Sequence, residues 1–340
     1  MKKILITGGA GFIGSNFVRY LLDNYPDYKV IVLDALTYAG TLDNFPDRIK
    51  SSPRFEFWHG NIRHSQLVGD LVAESDVVVH MAAESHVARS IFEDAIFFET
   101  DVMGTQTVAN AVVTHPIERF MHISTSEVYG TALAVPMTEE HPLNPMSPYA
   151  SAKAGADRLV YSYYATYDIP AVIVRPFNNY GPNQHLEKVI PRFITSALMG
   201  EPLTVHGYGD SSRDWIYVED HCKALDRIMH CPVEKVKGEV INIASGTDFN
   251  IKEIAEIIVD KMGKNRSLIT YTENRPGQVM RHIGSAQKAQ ELLGWKAEID
   301  LHTGIDMAIK WYTENEAWWR RLLWMRAIPM RRVKGRLEIY

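Results

Sequence analysis

The chain has 340 residues, 46% hydrophobic and 23% charged, with a formal net charge of -5 and a pI near 6.2. That composition excludes a disordered chain and gives no basic field for nucleic acid. No run approaches the roughly 18 apolar residues that a bilayer span needs, and Cys222 and Cys231 are too few for a disulfide framework or a familiar zinc site, so no metal is expected.

In chain order, Lys3 to Thr7 is a short apolar run that leads into glycines without the apolar core of a signal peptide, so a cytoplasmic setting is expected. A stretch from Asn16 to Asn24 follows, with Phe17, Leu21 and Leu22 at helical spacing. Further apolar runs occur at Val30 to Leu33, Val77 to His80, Phe120 to Ile123 and Ala171 to Val174, with helical periodicity between them. This alternation predicts an α/β fold with a doubly wound parallel sheet of the Rossmann type. Beyond Arg175 the prolines and glycines interrupt short elements. Three parts are expected: a sheet domain over 1–175, a smaller C-terminal α/β substrate lobe over 176–325 with some chain crossing back, and a basic, solvated tail over 326–340. Trp311, Trp318 and Trp319 read as core aromatics rather than a base-stacking surface.

Gly8, Gly11 and Gly14 stand at three-residue spacing between the first strand and the first helix. Glycine permits the tight turn there and the close approach of backbone amides to a pyrophosphate, while the helix N-terminus supplies a positive dipole. Asp34 follows Gly14 by 20 residues at the end of the second strand, where a carboxylate accepts hydrogen bonds from ribose hydroxyls. It would repel the extra phosphate of NADP, and neighbouring Ala35 and Leu36 offer no arginine, so NAD is expected.

Tyr149 and Lys153 lie four residues apart, on one face of a helical segment. A lysine beside the phenol is expected to lower its pKa so that it can take a proton from a sugar hydroxyl. Upstream, the strand Phe120 to Ile123 delivers Thr125 and Glu127 to the carboxyl end of the sheet, where open α/β sheets bind ligands. Thr125 can hydrogen-bond the sugar and Glu127 can act as a second base.

Nearly end to end, the sequence resembles the extended short-chain dehydrogenases, and within them the nucleotide-sugar 4,6-dehydratases of the dTDP-glucose type. The likeness rests on TGGAGFIGSNF, LDALTYAGTLDN, HMAAESHVARS, STSEVYG, SPYASAKA, NNYGPNQHLEKVIP, RDWIYVEDH, RPGQVMRH and WYTENEAWW. It implies oxidation of a nucleoside-diphosphate hexose at carbon 4, loss of water across carbons 5 and 6, and return of the hydride, with NAD regenerated in each cycle. It also implies catalytic roles for Thr125, Ser126, Glu127, Tyr149 and Lys153. Cofactor contacts are expected from Gly8, Gly11, Phe12, Ile13, Gly14, Asp34, Asn61, Ile62, Ala82, Tyr149 and Lys153, and substrate contacts from Ser85, His86, Asn179, Lys188, Arg213 and Arg275. A homodimer built on the helix of Tyr149 is implied too.

Three positions depart from the family pattern. Ser126 stands where the dTDP-glucose enzymes carry aspartate, an order that resembles GDP-mannose 4,6-dehydratases but also UDP-glucuronate decarboxylases. Asn61 replaces an aspartate near the adenine, and Ala88 replaces an aspartate near the substrate. The readings left open besides dehydration are a decarboxylase, a carbon-4 epimerase and a non-catalytic NAD-binding scaffold.

Overall fold

The computed structural model describes residues 1–273, 279–326, 329–331 and 337–339. Seven parallel strands form the main sheet. In chain order the first six are β1 (Lys2–Thr7), β2 (Tyr28–Asp34), β3 (Phe55–His59), β4 (Val77–His80), β5 (Arg119–Ile123) and β6 (Ala171–Pro176). The chain then builds β7 (Asn178–Tyr180), β8 (Leu203–His206) and β9 (Ser212–Tyr217) in the second lobe before returning to the main sheet as β10 (Val240–Ile243). The sheet runs β10-β6-β5-β4-β1-β2-β3.

Every run expected to be a strand is one, and two strands of the main sheet were not foreseen. β3 is an edge strand whose Glu56 and exposed Trp58 break its apolar pattern, and β10 is only four residues long with Asn242 inside it. The central strands read as continuous apolar runs because helices cover both faces. Ile4, Ile6, Val30, Val32, Val77 and Val79 pack under the helix Phe12–Asn24 on one face, while Leu5, Ile31, Leu33 and Val78 meet the opposite helices. Burying each such side chain contributes about 1.5–3 kcal/mol.

The crossing back is substantial. Besides β10, the helix Val218–His230 packs on the helix Phe12–Asn24 through Cys222, Leu225 and Ile228, and Leu293 and Trp295 join the same cluster. The second lobe has its own core around Ile190, Phe193, Ile254, Ile258, Ile305 and Tyr312, in which Trp318 and Trp319 are buried and Trp311 packs against Trp318. The expectation of core tryptophans holds. The tail is not simply solvated: Arg326 bonds Ser196 and Glu201, and backbone segments 329–331 and 337–339 pair as an antiparallel hairpin beside the helix Val87–Phe92.

Strand order reverses direction between β1 and β4, so their carboxyl ends open a crevice where a ligand can enter. A cavity of about 500 Å³ occupies that crevice and extends toward the second lobe.

Candidate active site

One half of the cavity is made of backbone. Gly8 has φ +70°, a region that L side chains rarely adopt, and a Cβ there would stand 2.6 Å from the Ala82 nitrogen at the end of β4. A Cβ on Gly14 would come within 2.5 Å of the Gly8 carbonyl oxygen, so the helix could not pack against its own entry turn. Gly11 begins that helix without any side-chain cap, which leaves the amides of its first turn, around Phe12 and Ile13, for an external acceptor. A pyrophosphate fits this cradle in shape and charge.

Asp34 closes β2. Its carboxylate accepts the Ala10 amide at 2.9 Å and the Leu36 amide at 2.8 Å, thereby tying the glycine turn to the next loop. Burial raises its pKa and those two amides oppose the rise. Asn61, Ile62 and Ala82 also line this half. The Asn61 amide oxygen already accepts the Arg63 amide at 2.9 Å, so an adenine amino group would use its second lone pair.

The other half is made of side chains. The helix Pro148–Tyr167 starts at Ser147, whose hydroxyl accepts the Ala150 amide, with Pro148 in its first turn. It carries Tyr149 and Lys153 inward, both buried. Tyr149 and Thr125 both line the cavity, and the Thr125 hydroxyl accepts the Glu127 amide at 3.2 Å. The Lys153 ammonium donates to the Ile123 carbonyl at 2.7 Å. Thr125, Glu127, Tyr149 and Lys153 thus line one cavity with the glycine turn.

Two expectations need correction. Burial decides the Tyr149 pKa rather than the lysine: it pushes the phenol above its ordinary range, Thr125 only partly opposes this, and the Lys153 ammonium is turned to the Ile123 carbonyl. Burial lowers the pKa of Lys153 itself, against the carboxyls of Asp101 and Asp157. Ser126 is not among the residues that line the cavity: it is buried in the tight turn Ser126–Tyr129, while Thr125 and Glu127 on either side line the cavity.

Ser85, His86, Asn179, Lys188 and Arg213 all line the cavity. Lys188 donates to the Ser85 carbonyl at 2.9 Å and so joins the second lobe to the first. His86 also caps the helix Val87–Phe92 by accepting the Arg89 amide. The Asn179 amide is held by the Phe177 carbonyl and by His221. Burial lowers the pKa of Arg213, and the charge of Glu127 opposes the shift, which places these two groups within electrostatic reach. Arg275 lies outside the described residues.

Several residues in and beside the cavity escaped the reading of single positions: Glu84, His185 and Glu187 line it, and Tyr38 and Arg89 contact them. Arg89 donates to buried Glu187 at 3.0 Å, its guanidinium stacks 4.3 Å over the Tyr38 ring, and His185 reaches the Ala39 carbonyl at 2.7 Å. Glu84 is buried beside them, with its carboxyl pushed up to about 7 by burial, against the opposing charge of Arg89. Burial likewise pushes Asp101, behind Lys153, up to about 8. Tyr38, Glu84, Arg89 and Glu187 fall inside motifs already singled out, but nothing local in those motifs shows that they meet.

The model of the family described as GDP-mannose 4,6 dehydratase matches residues 5–308. The low-salt glycan biosynthesis protein Agl12 of Haloferax volcanii is 48% identical over 92% of this chain and 99% of its own. The dTDP-glucose 4,6-dehydratase of Streptomyces antibioticus is 38% identical, covering 94% of this chain and 95% of its own. Among solved structures, DesIV, the dTDP-glucose 4,6-dehydratase of Streptomyces venezuelae with NAD and TYD bound, superposes with a TM-score of 0.90 at 40% identity over 94% of this chain and 99% of that one. With its switch-point cavity, its glycine cradle and the Tyr149–Lys153 pair, the chain belongs to the GDP-mannose 4,6-dehydratase family.

Proposed function

We propose that this protein binds NAD and catalyses 4,6-dehydration of a nucleoside-diphosphate hexose, dTDP-glucose or a close analogue, to the 4-keto-6-deoxy sugar. The observation that carries this reading is that Glu127 shares one cavity with Thr125, Tyr149, Lys153 and the glycine cradle. A simple dehydrogenase needs the tyrosine and lysine only; a carboxylate beside them has a use when a second proton must move.

NAD held by the Gly8–Gly14 cradle and Asp34 would supply the hydride chemistry, with carbon 4 as donor and carbon 6 as acceptor. The chain's own residues handle the protons. Tyr149 takes the proton of the carbon-4 hydroxyl, with Thr125 beside the phenol and Lys153 supplying positive charge nearby. The resulting ketone acidifies the carbon-5 proton, which Glu127 removes. Because abstraction and protonation take place on adjacent carbons, Glu127 also delivers the proton to the carbon-6 hydroxyl as water leaves; when the hydride returns at carbon 6, carbon 5 takes up one proton, which balances the one that Tyr149 accepted. The burial of Ser126 supports giving both tasks to Glu127. Lys188 and Arg213 serve the diphosphate, and Ser85, His86 and Asn179 the remaining polar groups.

A homodimer is part of the same proposal. Phe98 and Met103, and Tyr161 and Tyr167 on the helix Pro148–Tyr167, are exposed, and two copies could bury them together. No helix among the described residues is long and apolar enough to cross a membrane, and a cytoplasmic location is proposed.

The test is incubation of the purified protein with dTDP-glucose, UDP-glucose, GDP-mannose, UDP-N-acetylglucosamine and UDP-glucuronate separately, followed by mass analysis. Loss of one water with no net NADH is the expected result for one of the hexoses. Loss of carbon dioxide from UDP-glucuronate, or no change with any of the five, overturns the proposal.

A further inference from the structure

The proposed dehydration sets Tyr149 and Glu127 against one sugar ring, yet the two residues sit on different elements. A buried chain of side chains that no step of the reaction uses connects those elements. Asp157 lies one turn beyond Lys153 on the helix Pro148–Tyr167. Arg175, near the end of β6, donates to it from Nε at 2.8 Å and from Nη2 at 2.9 Å, and both residues are buried. The third guanidinium nitrogen, Nη1, donates to the Tyr129 hydroxyl at 2.9 Å, and the guanidinium also lies 4.8 Å from the Tyr129 ring centroid. Tyr129 closes the turn Ser126–Tyr129, two residues after Glu127, and its hydroxyl donates to Asn242 on β10 at 2.7 Å. Asn242 is itself anchored, to the Met137 carbonyl and to Glu139.

Stability alone does not account for this arrangement. Removing two charges from water costs about as much as their attraction returns, and apolar residues of similar volume often serve a core as well. What the ion pair adds is geometry, since a guanidinium that spends two nitrogens on one carboxylate and the third on a phenol fixes three elements at once. The turn needs such support, because one short 3₁₀ turn has poor internal hydrogen bonds. Burial would raise the Asp157 pKa, but the Arg175 hydrogen bonds hold it below its ordinary value and keep the pair ionised.

We propose that Arg175, bridging Asp157 and Tyr129, is a positioning residue that holds the Glu127 turn in register with the Tyr149–Lys153 helix and thereby governs the elimination half of the reaction. The inference rests on the dehydratase reading. It predicts that the two halves of the chemistry separate when the bridge is loosened. Carbon-4 oxidation uses the helix together with Thr125, which caps the turn at the end of β5, whereas carbon-5 deprotonation depends on Glu127 inside the turn standing at the right distance, and a misplacement of about 1 Å can cost on the order of a hundredfold.

The test uses the full-length, NAD-loaded Tyr129→Phe protein, which loses one hydroxyl and keeps the ring, with dTDP-glucose as the probe in stopped flow. The 340 nm absorbance of reduced cofactor reports oxidation, and exchange of the carbon-5 proton with deuterated solvent reports elimination. Oxidation should stay within about twofold of wild type and KM should be unchanged, while elimination slows about tenfold or more, so that reduced cofactor accumulates. Arg175→Met should shift the balance further in the same direction, and Arg175→Lys should restore part of it. Equal loss in both phases would mean a merely structural role and overturn the inference, as would no change in either. If wild type itself releases no water from dTDP-glucose or the other hexoses, the dehydratase reading fails first and takes this inference with it, a result visible before any variant is made.

Discussion

The cofactor half of the cavity and its substrate half are built on different principles. The first is backbone: a left-handed glycine, a helix that begins without a side-chain cap, and one carboxylate tying two loops together. The second rests mainly on side chains, with Tyr38, Arg89 and Glu187 meeting one another and Lys188 reaching the Ser85 carbonyl, across two lobes and from segments up to about 150 residues apart. A backbone site must be written in neighbouring residues, because only glycine tolerates the required contacts. A side-chain site can be assembled from anywhere.

The largest expected effect breaks the substrate half while sparing the cofactor half. Tyr149→Phe removes the proton acceptor and should reduce turnover about 10²–10⁴-fold, with the NAD content of the purified protein unchanged. Loss of both would mean that the tyrosine holds the cradle together.

Gly8→Val is the reverse experiment. Its Cβ would collide with the Ala82 backbone at a φ that a branched residue resists, a strain of about 1–3 kcal/mol or more. Thermal denaturation and the ratio of bound NAD to protein should both fall. Retained NAD at normal stability would show that the turn can relax.

Glu84 makes pH report on the substrate half. Its folded pKa, near 7, lies above the ordinary value of 4.5, so between these values the folded state holds the proton more firmly than the unfolded chain. The stability associated with this group is therefore fully present below about 4.5 and is lost as the pH rises through about 7. Glu84→Gln should flatten that part of the stability–pH curve and gain about 1–3 kcal/mol on wild type at pH 8 in denaturant titrations. An unchanged curve would mean that the carboxyl stays ionised.

A smaller effect is expected at the junction of the lobes. Arg89→Ala leaves the Glu187 carboxylate without its guanidinium partner, though Arg89 itself is partly exposed, so water can compensate in part. A loss of about 1–2 kcal/mol, read as a rise in KM with kcat nearly intact, would show that the junction serves binding rather than chemistry.

Legibility followed the same division. The five apolar runs, the glycine turn, Asp34 and the Tyr149–Lys153 pair could be read from the chain because each rests on a short-range rule of period or spacing. β3 and β10 could not, since an edge strand with Glu56 and Trp58 and a four-residue strand with Asn242 carry too weak a pattern. Ser126 was read from its place in a motif, but in the folded turn it is buried while Glu127 lines the cavity. The lowered Tyr149 pKa was inferred from proximity to lysine, whereas burial sets the sign of the shift.

By itself, then, the sequence determined the doubly wound sheet, the cradle for a pyrophosphate and the residues able to move protons, because apolar period, glycine sterics and the i, i+4 geometry of a helix all act over a few residues. Only the tertiary structure decided which charges face one another across the cavity, which way the Glu127 turn points, and how Arg175 joins Asp157 to Tyr129. Those outcomes depend on burial and on contacts between distant segments, and both come into being only when the sheet and the second lobe pack together.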